Sequence, residues 1–446
     1  MKIFLIIMFA FFSIASCNRV EDEGAPNFPD GSTEATNLWV QDSMKRYYYW
    51  AAHMPLKPNY SLPTKDFFKS LLYSGDRFSS ILDKNNASTY PKTVRSLYGF
   101  DYAVIQLADG KVTAVIKLVL KNSPAQNMGL QRGMIMTKIN GTAITPSNFN
   151  QLISTIINST ALNLAVGNWD NGNIINEQNI TIHSGFTFDQ PLVSKIIETN
   201  GKKTGYLYVY DFPDNMGQIL LQKFSEFKIA GVQNLILDLR YNYGGSVASA
   251  AALCAMIPSG ISGSTPFIIY KGNKNGGEVK MTFAQQIAYN KGAPGFNVLY
   301  SNNLGLSKIY ILTSDSSASA SEIVINNLKP FMEVIQIGGT TLGKDMAGFI
   351  IEDKRNPPKI SWQIHPIIYK VYNANAEGEY SMGIAPSVFV NEFSNLPVLP
   401  LGDPNETLFS TALNKIFSKY SPSSNSNNSP KVIWQSDWQQ QFSLKK

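Results

Sequence analysis

At 446 residues, with 44% hydrophobic and 16% charged side chains, the chain carries enough apolar material for two or three cores, which excludes a disordered protein. The net charge of +6 comes from 38 basic and 32 acidic residues with no Lys/Arg block, so nucleic acid is not an expected partner. Two cysteines and three scattered histidines are too few for a disulfide framework or a zinc site, and neither a metal nor any other cofactor is expected.

The chain opens with Lys2, a dense apolar run from Ile3 to Phe12 and then small residues, the pattern of a secretory signal too short to span a membrane comfortably. Its end, Ile14-Ala15-Ser16-Cys17, resembles the lipobox of bacterial lipoproteins. That resemblance implies a signal peptide over 1–17 with a lipidated Cys17, and contact with the membrane through acyl chains only. Residues 18–35, rich in Pro, Gly, Asn and acids, read as a tether. Within it Glu21-Asp22-Glu23 resembles the surface-export signal of Bacteroidetes lipoproteins. The expected location is the bacterial cell envelope, anchored to the outer membrane on its periplasmic face or at the cell surface.

Residues 36–96 read as a helical domain with an aromatic packing cluster at Tyr47, Tyr48 and Trp50, and with Thr64 as a helix N-cap. Residues 97–185 are β-rich. The runs Tyr102–Leu107 and Val112–Val119 precede Ser123-Pro124-Ala125, Gly129-Leu130, Gly133-Met134-Ile135 and the strand closed by Asn140-Gly141. This order of parts resembles the circularly permuted PDZ domain of bacterial proteases, with Met134 where Asp is usual. The resemblance implies a peptide held as an added strand, its terminal carboxylate captured near Gly99, Phe100 and Asp101.

Residues 190–420 alternate strands (205–210, 234–239, 308–312, 334–337) with helices (216–227, 247–256, 320–328), which argues a parallel or mixed sheet covered by helices. Asp403-Pro404-Asn405-Glu406 reads as the start of a last helix that packs back on the core. Residues 421–446 are expected to be a flexible tail, with Trp434 and Trp438 unexplained.

The chemistry-bearing stretches lie in this region. Ser314-Asp315-Ser316-Ser317-Ala318-Ser319-Ala320-Ser321-Glu322 stands between a strand and a helix, where sites in such sheets form. On its own it is equally a capping box, with Ser319 at the cap and Glu322 three residues on. The second stretch, Gly338-Gly339-Thr340-Thr341-Leu342-Gly343-Lys344, is a glycine-flanked loop ending in a lysine.

Together the two resemble the C-terminal processing (tail-specific) proteases, whose signatures are S-A-S-A-S-E and T-x-G-K. The resemblance implies Ser319 as nucleophile and Lys344 as general base, in a ClpP/crotonase-like β-α core. The expected fold class is therefore α/β (α+β) multidomain: an N-terminal helical segment, a PDZ-like β-rich domain and this core. A lysine acts as a base only when neutral, so its pKa must fall through desolvation, and Asp345 is expected to point elsewhere. Oxyanion donors are expected at the Ala320 N–H and at Gly244 or Gly245, in a turn that resembles the family's D-L-R-x-N-x-G-G. Two departures stand out: Gly348 where several members have a lysine-orienting Gln, and Ser387 where Asp is usual.

The reading is thus a serine endopeptidase of extracytoplasmic proteins, with protein or peptide substrates bearing free C-terminal tails. A peptide-binding lipoprotein that keeps the fold without turnover is the alternative, with Gly348 as its support. His365 is the remaining candidate base.

Overall fold

The computed structural model describes residues 26–185, 192–417 and 429–437. The signal, Cys17, the start of the tether and Trp438 lie outside the described residues. Among those described, no helix is long and apolar enough to cross a membrane.

The N-terminal unit packs helices Thr33–Tyr47 and Thr64–Leu71 through Val40, Met44, Phe67, Phe68 and Leu71. The first helix is capped by Ser32, whose hydroxyl accepts from the Ala35 N–H at 3.1 Å. In the second, Pro63 takes the cap position and Thr64 is the first helical residue. The aromatic cluster is a packing face, as its T-shaped Tyr48–Trp50 and Tyr49–Trp50 contacts show. This unit closes onto distant sequence: Ile364 belongs to its core, and strand Ser80–Asp83 pairs antiparallel with Trp362–His365.

The β-rich unit is an antiparallel sheet of Phe100–Gln106, Val112–Val119, Ile135–Ile139, Ala161–Asp170 and Asn173–His183, in that spatial order. Asn140 and Gly141 both have positive φ, as the tight turn into Thr142–Ala143 requires. Helix Phe149–Asn158 covers one face through Leu152 and Ile156. The stretch expected as a flexible tail supplies one more strand: Lys431–Gln435 lies antiparallel on the outer edge of Phe100–Gln106. Its short apolar run, Val432-Ile433-Trp434, becomes a strand because an unpaired sheet edge receives it.

The third unit is a six-stranded sheet in the order 388–389, 333–338, 308–313, 234–238, 202–209, 192–199, parallel except for the last hairpin. The side chains alternate as a two-sided sheet demands. Leu207, Val209, Leu235, Leu237, Ile309 and Ile311 meet helices Met216–Ala230, Val247–Ala255 and Ala320–Leu328. Tyr206, Tyr208, Ile236, Tyr310 and Leu312 meet helix Thr407–Ile416 on the other face. Cys254 is fully buried in the first core, where burial pushes its thiol up.

That last helix starts later than Asp403-Pro404 implies. Its N-cap is Glu406, which accepts from the Phe409 N–H at 3.0 Å. The shift has an electrostatic cause: Arg240, wholly buried, donates to Glu406 at 2.7 Å and to Asp238 at 2.7 Å, while Arg132 pairs with Glu392 at 2.7 Å. This network pins the end of strand Asn234–Asp238, and with it the turn that follows. Arg240→Met is expected to leave Asp238 and Glu406 buried without their cation and to lower stability by about 3–5 kcal/mol. Urea unfolding measures this, and a loss below about 1 kcal/mol would show that the network is not needed for the fold.

Candidate active site

The serine loop is stitched to the turn after Asp238. Ser317 Oγ donates to the Leu239 carbonyl at 2.8 Å, the Ala318 N–H to the Asn242 carbonyl at 2.9 Å, and Ser321 Oγ to the same carbonyl at 3.1 Å. Ser319 then sits at the head of helix Ala320–Leu328 with φ 55° and ψ −112°, a conformation a non-glycine residue adopts only under constraint. It is partly buried, between wholly buried Ser317, Ala318 and Ala320. Gly244 packs flat against it: a Cβ there would lie 2.7 Å from Ser319 Cβ and 2.8 Å from the Ala320 nitrogen.

Two of the three expected oxyanion donors stand without a partner among the described residues, the N–H groups of Ala320 and Gly245. The third is taken, because the Gly244 N–H donates to Asn242 Oδ1 at 2.8 Å. Gly244 therefore provides close approach, and Gly245 is the glycine with a donor to offer.

Glu322, the third residue of the helix, does more than cap it. Its buried carboxylate accepts four hydrogen bonds: from Thr341 Oγ1 at 2.6 Å, the Gly343 N–H at 2.7 Å, the Lys344 N–H at 2.8 Å and the Ser319 N–H at 2.9 Å. The last two reach one and the same oxygen, Oε2, so a single carboxylate joins the backbones of Ser319 and Lys344. Burial pushes the Glu322 carboxyl up, and the hydrogen bonds work against that shift.

Lys344 is partly buried, and its Nζ stands 5.3 Å from the centre of the Phe78 ring. Desolvation holds its amine below the ordinary lysine range, against the opposing pull of Glu322 and then Asp76. Among the described residues the amine donates no hydrogen bond, to Ser319 or to any other group. Asp345 points away from it, toward Lys370 at 3.8 Å. At Gly348 a side chain has no room, because a Cβ would strike the Pro366 carbonyl oxygen. The Glu322 clamp holds the lysine loop where a Gln at that position cannot.

Two residues here gave no local signal in the sequence. Asp76 and Phe78 come from the N-terminal unit, where Asp76 is held by the Tyr48 hydroxyl at 2.8 Å and by the N–H groups of Phe78 and Ser79. His365, opposite Ser80 in the strand pair, lies close enough to Lys344 for the lysine charge to add to burial in depressing its imidazole. Its Nε2 is buried without a hydrogen-bond partner among the described residues. The expected carboxylate loop is not an open anion site. The Gly99 N–H caps helix Val94–Tyr98 by donating to the Arg95 carbonyl at 2.9 Å, Phe100 is in the core, and Asp101 is buried in an ion pair with Arg95. No group of three His, Cys, Asp or Glu side chains able to hold a metal occurs among the described residues.

Two family models match the chain, Peptidase family S41 over residues 203–388 and Peptidase S41 N-terminal domain over residues 35–80. The chain belongs to peptidase family S41. An S41 protease structure from Bacteroides fragilis NCTC 9343 is 29% identical, with a TM-score of 0.70 over 89% of this chain and 100% of its own. The photosystem II D1 C-terminal processing protease, 16% identical, shares the fold at a TM-score of 0.51 over 85% of this chain and 98% of its own. Carboxy-terminal processing protease CtpA of Bacillus subtilis (strain 168) is 24% identical over 78% of this chain and 70% of its own length. For CtpB of the same strain the identity is 21%, over 71% of this chain and 60% of the relative. The S41 member described here is accordingly a serine-type peptidase of the C-terminal processing kind.

Glu322→Gln would replace one acceptor oxygen by an NH2 group facing backbone donors. It is expected to lower kcat by at least about tenfold with little change in KM, because it misplaces the two loops rather than the substrate. Steady-state kinetics check this, and a kcat equal to that of the unaltered enzyme would remove Glu322 from the account.

Proposed function

We propose that this S41 peptidase hydrolyses peptide bonds of extracytoplasmic proteins through an acyl-enzyme on Ser319, with Lys344 as general base. The observation that carries the reading is the shared Glu322 oxygen, which ties the backbone of the serine to that of the lysine at the head of the helix. Ser319 Oγ attacks the carbonyl carbon while its proton passes to the neutral Lys344 amine. The N–H groups of Ala320 and Gly245 donate to the developing oxyanion. As the tetrahedral adduct collapses, the C–N bond breaks and the Lys344 ammonium protonates the leaving amine. Water then attacks the ester, Lys344 takes its proton and returns it to Ser319, and the acid product departs.

The unbonded amine of Lys344 favours a second reading, peptide binding without turnover. Hydrogen bonds between nucleophile and base often tighten only when substrate is bound, which keeps the catalytic reading first. Substrates with free C-terminal tails fit the "carboxy-terminal processing" names of the Bacillus relatives. In residues 97–185 the strand Phe100–Gln106, beside helix Phe149–Asn158, carries the edge on which such a tail would add as a strand, in the place that Lys431–Gln435 holds. The sequence up to Cys17 supports a lipid anchor and a place in the cell envelope, on the outer membrane.

Ser319→Ala and Lys344→Arg are each expected to abolish cleavage of an unstructured protein, whereas His365→Ala retains it within about tenfold. A fluorophosphonate probe should label the unaltered protein and not Ser319→Ala; peptide binding with neither labelling nor turnover would establish the binding protein instead. Because Lys344 must lose its proton to act, kcat/KM is expected to rise with pH, with a midpoint below the ordinary lysine range. A midpoint at the ordinary lysine value would contradict a desolvated base. In the producing cell, radiolabelled palmitate should be incorporated and Cys17→Ser should lose it; incorporation unchanged in Cys17→Ser would remove the anchor from that residue.

A further inference from the structure

The peptide edge of the β-rich unit is already occupied. Strand Lys431–Gln435 runs antiparallel along Phe100–Gln106, with Lys431 opposite Gln106 and Gln435 opposite Ala103. Ser436 continues the pairing: its N–H donates to the Tyr102 carbonyl at 2.9 Å and its Oγ accepts from the Tyr102 N–H at 3.0 Å. Trp434 reaches between sheet and helix, its ring 5.4 Å from Tyr102 and 6.4 Å from Phe149. Strand addition along an edge, with a side chain seated under a flanking helix, is how a receptor grips an extended peptide.

The far end of this segment is held by charge. Asp437 is wholly buried, with Oδ1 2.6 Å from the Nζ of Lys117, itself wholly buried. Ser316 Oγ donates to its other oxygen, and the Tyr243 hydroxyl donates to its carbonyl at 2.7 Å. Lys117 also donates to Gln435 Oε1 at 2.6 Å and stands 4.7 Å from the centre of the Tyr241 ring. A buried ammonium in mid-strand is costly unless a carboxylate faces it, so the site is built for an anion. Ser316 lies in the serine loop and Tyr243 directly precedes Gly244, so whatever fills this recess also braces the loops around Ser319.

We infer that this groove is a receptor for an extended peptide ending in a carboxylate, and that residues 429–437 are its resident ligand. A substrate tail gains the groove by displacing that segment, its own terminal carboxylate taking the place of Asp437 between Lys117 and Ser316. The inference rests on the peptide-site reading above and adds that the site is closed until exchange. The segment is suited to exchange. It has one sheet neighbour, an exposed Lys431, and a connection through the Ser/Asn/Pro-rich residues 421–430.

A synthetic peptide of residues 429–437 tests this by calorimetry on Ser319→Ala protein, where binding is read without cleavage. A chain ending at Asn428 should bind it, and the full chain should bind at least about tenfold more weakly, because the tethered copy competes at millimolar effective concentration. With the C-terminus amidated in both forms, the peptide carrying Asp437→Asn should lose at least about tenfold in affinity for the shortened chain. Equal binding to both chains, or none to a shortened chain that still melts cooperatively, would overturn the inference while leaving the peptidase reading intact. Should the shortened chain not fold, a full chain with a cleavable sequence placed within 421–428 and cut after folding serves instead. A fluorescent peptide must then exchange in only after the cut, and failure to exchange is the overturning result.

Discussion

A carboxylate buried at the head of a helix is an expensive group to keep charged: burial raises the Glu322 carboxyl, and the four donors that converge on it oppose that shift. Two of these donors belong to the residues proposed as nucleophile and base. The helix therefore sets the distance between two loops that are separate in sequence. It also anchors Ser319 in a backbone conformation that costs on the order of 1–3 kcal/mol and needs surrounding structure to persist. The pieces that sustain it are all at hand: the Gly244 contact, the hydroxyl stitches from Ser317 and Ser321, and the buried Arg240 network beneath the turn.

Around that clamp the remaining units act from two sides. The N-terminal helices bring Asp76 and Phe78 against the lysine, shielding its amine with an aromatic face while a carboxylate tempers the desolvation. The β-rich unit and the strand added to its edge reach the serine side, through Ser316 and Tyr243. The six-stranded sheet carries the residues proposed as nucleophile and base, and the flanking units decide how dry and how rigid their surroundings are. Such an arrangement would let the proposed peptide groove and the proposed catalytic pair share a few contacts without sharing a pocket.

Much of the core was legible because local and global signals agree there. The helix over Ala320–Leu328 matches its sequence pattern to the residue, and the strands over 202–209, 234–238, 308–313 and 333–338 differ from expectation by a few residues at their ends. Glu322 was visible only as a helix cap, since the hydrogen bonds that give it a second task come from a loop some twenty residues on. The last helix begins at Thr407 rather than beside Pro404, because Arg240, distant in sequence, recruits Glu406 to its N-terminus. Asp76, Phe78 and the strand Lys431–Gln435 could not be placed from sequence at all. Their roles follow from partners that only folding brings near, and Val432-Ile433-Trp434 is too short a run to announce a strand without the edge that receives it.

Turnover through Ser319 depends on the charge of one amine. Selective isotope labelling of lysine side chains, with the Lys344 signal assigned by its loss in Lys344→Arg, lets that group be titrated by NMR in the folded protein. The expected midpoint lies clearly below that of the exposed lysines, and the signal should shift when Phe78 is replaced by Ala. A Lys344 amine that titrates together with the exposed lysines would contradict it.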